Sequence, residues 1–425
     1  MNLTEKIESF IYSNIVPENQ RKIGVEIEGF YYDNKLNRIP VNPSDQYSAI
    51  DLFNDIQKAN KPGSTFSYSL EPGGQIEWAS GPSISLWDIK KQFDNHLKIE
   101  NSICTSNQIK RIYLAVDPLY NPQDIDLIRL KKYESMDKMF KKTGNMGAWM
   151  MRNTSSIQVN FDFTSIQDAN EIAFISDAIQ PLFSILFSNA PFMNGSPVKI
   201  KNLRWKIWEN TDDNRCCSLF NHGIYNQESM VRDYAKWIQN VPAIFEINKS
   251  SEQAFDGIIA DMLLKHRDDL DRYILSALRQ SFTHVRYKKV LEIRASDRPM
   301  KGHEICPPAF LAGLLTTKNV RETLLDIVSK WSKADRKKLI MSANNLSLDK
   351  TGPSGKKIHD WLEILADLSL SGLDARSTFY KIKNERELLE PMLQNLISKG
   401  PKTLQIQKKY QNSKLSLDSF LLDLT

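Results

Sequence analysis

Glu26 and Glu28 stand two residues apart in Lys22-Ile23-Gly24-Val25-Glu26-Ile27-Glu28-Gly29-Phe30, opposite a face made by Ile23, Val25 and Ile27. The same alternation recurs around Glu77 in Gln75-Ile76-Glu77-Trp78-Ala79. It recurs at Ser156, Gln158, Asn160 and Asp162 in the segment 156–163, and at Glu292 in Val290-Leu291-Glu292-Ile293-Arg294-Ala295. Carboxylate and amide oxygens in such numbers are what hard divalent cations take as ligands, and such cations carry nucleotide phosphates. A single Glu-x-Glu pair is ordinarily a solvated strand face, and like charges side by side repel. Four repeats of one polar face favour a metal–phosphate surface, provided that the strands are neighbours.

Arginines supply the complementary charge. Arg204 and Arg215 flank Trp205-Lys206-Ile207-Trp208-Glu209-Asn210-Thr211-Asp212, and Arg294 shares the parity of Glu292 on an otherwise apolar segment. Guanidinium groups clamp carboxylates and phosphates and stabilise charge that moves during phosphoryl transfer. Pro72-Gly73-Gly74, between Glu71 and Gln75, is either a plain hairpin turn or a place where phosphate approaches backbone. Gly352-Pro353-Ser354-Gly355-Lys356-Lys357 lacks the Walker spacing and reads as a loop before a helix. The six histidines show no zinc spacing, Cys216-Cys217 reads as buried thiols, and Met146, Met150 and Met151 with Trp149 read as core. No nucleophile–His–acid arrangement is visible, so covalent catalysis by the protein has no support.

These groups need elements to hold them. Ser67 to Ala79 predicts a hairpin, 85–104 an amphipathic helix, and 111–116 a short apolar strand. The run 172–187 predicts an apolar helix kinked at Pro181. Helical patterns return at 253–282, 308–332, 356–372 and 384–399, and the chain from Pro401 reads as a loop ending in a short docking helix. Strands without regular βα alternation predict an α+β fold with a mainly antiparallel central sheet and helices on its apolar face. The chain is expected to form one catalytic domain over 1–425, with a sheet-rich core at 1–300 and a helical part at 301–425 packed on it. A net charge of +5 on 425 residues is too small to argue nucleic acid, no apolar run approaches a membrane span, and no secretory signal is visible. Four sparse cysteines suit a cytoplasmic protein.

With these residues in view, the chain resembles the glutamate–cysteine ligases of the plant and proteobacterial type over about residues 20 to 400. The resemblance rests on Gly24-Val25-Glu26-Ile27-Glu28, on Leu70-Glu71-Pro72-Gly73-Gly74-Gln75-Ile76-Glu77, and on Gly147 to Met151 running into Thr154 to Asp162. Leu203-Arg204 through Trp208 to Arg215, Leu291-Glu292-Ile293-Arg294 with Asp297, Pro308-Ala309-Phe310, and Lys132-Tyr133 with Met136 add to it.

The resemblance implies a glutamine synthetase-like carboxylate–amine ligase fold, its sheet forming a funnel for ATP and Mg2+. It implies metal ligands at Glu26, Glu28, Glu77 and Glu292, nucleotide contacts from Glu26, Gln75, Asn160 and Arg294, and catalytic roles for Arg294 and Arg204. Substrate contacts would come from Arg152, Asn153, Arg204, Arg215, Gln158, Asn160 and Tyr133. The implied reaction spends ATP to make a γ-glutamyl phosphate that the cysteine amine attacks, giving γ-glutamylcysteine, the first intermediate of glutathione. The partners are then small molecules only (glutamate, cysteine and ATP), and the enzyme a monomer or homodimer. Two departures touch the substrate pocket: Asn153 preceded by Arg152 replaces the family's usual arginine, and Cys216-Cys217 replaces a commoner Thr-Gly. The nearest alternatives are a related ligase with another amine acceptor and a silent nucleotide-binding homologue.

Overall fold

Ile23, Val25 and Ile27 are all buried, and the strand they belong to organises the molecule. In the computed structural model, which describes residues 1–61, 63–199, 201–248 and 251–424, this strand is β1, Ile23–Asp33. The remaining strands are β2 (Ser67–Leu70), β3 (Ile76–Ala79), β4 (Ile109–Ile112), β5 (Ser156–Phe161), β6 (Phe192–Met193) and β7 (Ser196–Pro197). They continue with β8 (Phe245–Asn248), β9 (Ser251–Ala254), β10 (Val285–Tyr287) and β11 (Leu291–Asp297). Seven of them form one sheet in the order β10-β11-β5-β1-β3-β2, with β4 paired to the outer half of β1. Every pair is antiparallel, as the lack of βα alternation predicts.

The apolar side of the sheet rests on the helix Ile166–Leu186, in which every residue from Asp168 onward is buried. It starts six residues before the predicted position because Ser165 caps it, its side chain accepting the Asp168 N–H. The helix continues through Pro181 to Leu186. Its apolar cluster takes in Ile23, Val25, Val159, Phe161 and Ile293 from the sheet and Phe310, Leu365 and Leu393 from the C-terminal helices. Two of those helices, Cys306–Leu315 and Ile358–Tyr380, cross so closely that a Cβ on Gly372 would lie 1.8 Å from the Gly313 carbonyl oxygen.

Three predicted elements are corrected. The helix over 253–282 is instead β9 followed by two short helices, Ile259–Lys265 and Leu270–Leu278, after Gly257 at φ +145°. The pattern 308–332 is two helices, the second Lys318–Ser329. The expected loop after Pro401 is the helix Lys402–Ser413, tied down by long-range bonds that no local pattern carries. Gln407 Nε2 donates to the Pro191 and Val198 carbonyls, and Thr403 Oγ1 accepts the Ala190 N–H. The docking helix follows at Leu417–Leu422, with Phe420 against Phe192 and Tyr410.

Candidate active site

The register of the sheet decides the site. On β1, Glu28 lies opposite Glu77 of β3 and Glu26 lies opposite Gln158 of β5; Glu292 of β11 lies opposite Asn160. The four polar faces predicted from alternation therefore meet on adjacent strands. They floor a cavity of about 990 Å³ whose lining includes Glu26, Glu28, Glu71, Glu77, Gln158 and Arg294.

Neutral donors, not cations, hold these carboxylates in place. Glu28 Oε2 accepts the Ser156 N–H at 2.7 Å and its Oε1 accepts from Gln158 Nε2 at 3.3 Å. Glu77 accepts from Ser69 Oγ at 2.7 Å, and Glu26 accepts from Asn160 Nδ2 at 3.1 Å. Burial, then repulsion from Glu26, Glu71 and Glu28, pushes the Glu77 carboxyl well above the usual range. Burial and Glu292 raise Glu26, and burial and Glu28 push Glu71 up to about 7. Like charges crowded behind a low-dielectric wall cost free energy that a divalent cation among them removes. The donor set, all hard oxygen, fits Mg2+.

Above this floor stand two guanidinium groups. Arg294 Nη1 donates to Gln158 Oε1, and Arg204 donates through both Nη atoms to the Arg294 carbonyl at 3.3 Å. Their Cζ atoms lie 5.6 and 5.7 Å from the Trp208 ring centroid. Each keeps a buried Nε–H without a partner. Two oriented cations that line the cavity beside a metal-type acidic floor can receive an anion such as phosphate or carboxylate.

The model of glutamate-cysteine ligase family 2 (GCS2) matches residues 22–405. This chain belongs to that family. It is accordingly a ligase, and its relatives agree. It is 27% identical over 392 residues to glutamate–cysteine ligase A, chloroplastic, of Oryza sativa subsp. indica, covering 88% of this chain and 78% of the relative. It is 28% identical over 284 residues to the chloroplastic glutamate–cysteine ligase of Arabidopsis thaliana, covering 64% of this chain and 53% of that one. A similar fold is found in the glutamate–cysteine ligase of Francisella tularensis in complex with AMP, with a TM-score of 0.58 at 14% identity, covering 95% of this chain and 87% of that one. The bifunctional glutathione synthetase of Pasteurella multocida gives a TM-score of 0.52 at 13% identity, over all of this chain and 52% of that one.

In this GCS2 chain the cavity gathers Glu26, Glu28, Gln75, Glu77, Tyr133, Gln158, Arg204 and Arg294, all predicted from sequence. Tyr133 donates its hydroxyl to the Leu70 carbonyl at 3.1 Å. Gln75 spends its amide on backbone: it accepts the Gly73 N–H and donates to the Met151 and Thr154 carbonyls. Those three bonds fix the turn at the cavity wall.

Five expected contacts are otherwise placed. Asn160 lies at the edge, bonded to Glu26 and outside the cavity lining. Glu292 is fully buried, with Arg286 Nε and Lys288 Nζ at 2.5 Å and Arg294 Nη1 at 3.1 Å. Burial opposes its ionisation, yet those three cations hold it well below the usual range. It therefore anchors Arg286, Lys288 and Arg294 and lies outside the cavity lining. Arg215 is fully buried, paired to Asp212 at 2.7 Å and bonded to the Gln280 and Pro242 carbonyls. Arg152 turns to Asp137 and the Pro122 carbonyl, and Asn153 donates to the Tyr120 carbonyl. Neither lines the cavity: both sit in the last turn of the helix Gly147–Asn153, not on a strand, and their side chains are spent on the framework.

Sequence reasoning left Glu71 out of the ligand set, although Ser67, Ser69 and Glu71 alternate and Ser69 lies opposite Glu77. It also missed Arg286, because a three-residue strand shows no measurable period.

Proposed function

We propose that the acidic floor is where this glutamate–cysteine ligase holds Mg2+ and the phosphates of ATP, with Glu26, Glu28 and Glu77 as ligands and Glu71 beside them. The observation that supports this most is the convergence of four carboxylates from β1, β3 and the turn after β2, with Glu26, Glu28 and Glu77 held by neutral hydrogen bonds where ion pairs would stand. The reaction is the ATP-dependent joining of the glutamate γ-carboxylate to the cysteine amine.

Bound Mg2+ supplies neutralisation of the phosphate charge. The chain's own residues supply the rest. Arg294 and Arg204, which line the cavity, bring their guanidinium charge to the negative charge that spreads over the transferring phosphoryl group. Gln158 bridges the two halves of the site, since its Oε1 accepts from Arg294 while its Nε2 donates to Glu28. The nucleophile in the first step is the substrate's carboxylate oxygen, so no protein serine or cysteine is required. In the second step the cysteine amine forms the C–N bond, loses a proton, and expels phosphate from the acyl phosphate. Tyr133, Trp208, Met150 and Met151 wall the cavity and limit water around that reactive intermediate.

The whole chain acts as one catalytic unit, a monomer or homodimer, and we place it in the cytoplasm, where its four free thiols would stay reduced. No helix among the described residues is long and apolar enough to cross a membrane. An assay of ADP release with glutamate, Mg2+ and a panel of amines tests the assignment. Release that depends on cysteine is the expected result; equal release with any amine, or none, refutes it.

A further inference from the structure

A second cavity, of about 340 Å³, lies on the side of the molecule where the helix Leu86–Ser106 meets the entrance of the helix Cys306–Leu315 and the turn Arg386–Leu388. Its walls are mostly apolar, with Trp87, Phe93, Leu97, Ile305, Leu388 and Met392 among them. Three of its charged residues already have close partners: Lys90 and Asp94 pair with each other at 2.7 Å, and Glu387 pairs with Lys383 at 2.8 Å.

Glu304 differs. It lines the cavity, is 3% exposed, and its Oε1 has no hydrogen-bond partner. The nearest cation, Arg298 Nη2, is 3.8 Å away, beyond hydrogen-bond reach, and that nitrogen is also without a partner. A buried carboxylate oxygen left without a donor costs free energy, and burial raises the Glu304 carboxyl in spite of Arg298 and of backbone hydrogen bonds from Glu304 and Gly302. A donor supplied from the cavity would satisfy it.

Arg298 joins this place to the acidic floor. Its Nη1 donates to the Glu28 carbonyl oxygen, which also accepts from Ser155 Oγ at 2.9 Å. On its β5 side, β1 is paired only as far as Ile27, opposite Ile157. Arg298 and Ser155 therefore replace the strand at the residue whose carboxylate faces the site.

We infer that this second cavity is a ligand site for a small organic ammonium ion on an apolar stem, which donates to Glu304 and acts on the metal floor through Arg298 and the Glu28 backbone. The apolar walls suit the stem, and the volume suits a molecule of amino-acid size. A charge brought to Glu304 changes how firmly Arg298 is held between that carboxylate and Glu28. The coupling half of the inference rests on the reading of Glu28 as a cation ligand; the binding half does not.

Phenethylamine is a suitable probe. Calorimetry should show one saturable site on the wild-type chain that persists when Mg2+ and a non-hydrolysable ATP analogue fill the main cavity. Glu304→Gln should weaken it at least tenfold. Leu97→Trp, which fills the cavity from the helix side, should abolish it without touching Glu304, and should keep wild-type ligase turnover. Coupling is read without activity, as the Mg2+ concentration giving half of the cation-induced rise in melting temperature. Saturating phenethylamine should move that midpoint at least twofold in the wild type and leave it unchanged in Leu97→Trp. Absence of saturable binding, displacement by the nucleotide, affinity unaltered in both variants, or a midpoint that stays put overturns the inference. Failure of the ligase reading would show separately, as absence of cysteine-dependent ADP release from the chain without phenethylamine.

Discussion

Glutamates at equal parity on neighbouring strands have opposite fates here, and charge partners decide which. Glu28 and Glu77 meet neutral donors and remain available to a cation, whereas Glu292 meets three basic side chains. Glu77→Gln should lower turnover by ~100-fold or more, roughly 2.7 kcal/mol of barrier, while leaving the cation-free protein as stable as before or more so. Steady-state ADP release and melting temperature measure the two effects. Glu292→Gln should behave in reverse as to stability, losing about 3–5 kcal/mol because buried cations lose their counter-charge. Denaturant unfolding would show this; a midpoint equal to wild type would contradict the role given to Glu292. A third residue-scale expectation concerns pH. Glu71 has its carboxyl raised from the usual 4.5 to about 7 by burial and Glu28. A raised value means that the native state holds the proton more tightly than the unfolded chain does. Its stabilising contribution is therefore complete below about 4.5 and lost as pH rises through about 7. In EDTA the melting temperature should fall across that window, and Mg2+ should flatten the fall by standing in for the proton.

Elements set how closely these side chains approach. β1 pairs with β5 on one edge as far as Ile27 and with β3 on the other as far as Gly29, so Glu26 has a strand on both sides and Glu28 on one. The turn after β2 is packed against the segment bearing Arg152: a Cβ on Gly73 would lie 2.5 Å from the Arg152 Cα and carbonyl oxygen. Gln75 spans the same gap to the Met151 and Thr154 carbonyls. Gly73→Ala should accordingly cost about 1–3 kcal/mol from overpacking and lower activity further by moving Glu71 and Glu77. Thermal unfolding and ADP release on one preparation would separate the two losses. β11 carries a register shift between Ile293 and Ser296. That irregularity falls at Arg294, whose carbonyl is left to accept from Arg204. Strand periodicity could place Glu292 and Arg294 on one face but could not foresee the bulge, because a bulge arises from pairing with β5.

At the scale of the whole molecule, the acidic floor is supported by an apolar cluster that continues from the sheet through the helix Ile166–Leu186 into the C-terminal helices. Ligand linkage then predicts a measurable coupling: Mg2+ with an ATP analogue at 100 times its dissociation constant should add about 2.7 kcal/mol to stability, read as a rise in melting temperature that Glu28→Gln removes. Much of this architecture was legible in the chain by itself. Alternation along 22–30, 67–79, 156–163 and 290–295 identified the strands and their polar faces, since the side-chain period of a strand is a local property of its backbone. The same locality sorted Glu26, Glu28 and Glu77 to one face. Tertiary structure alone decided that these faces adjoin, that Glu292 is neutralised by Arg286 and Lys288, and that Arg152, Asn153 and Arg215 turn into the framework. It also decided that Lys402–Ser413 is helical. Each of those outcomes depends on a partner distant in sequence, and a chain's own periodicity contains no information about which distant charge or carbonyl will stand opposite.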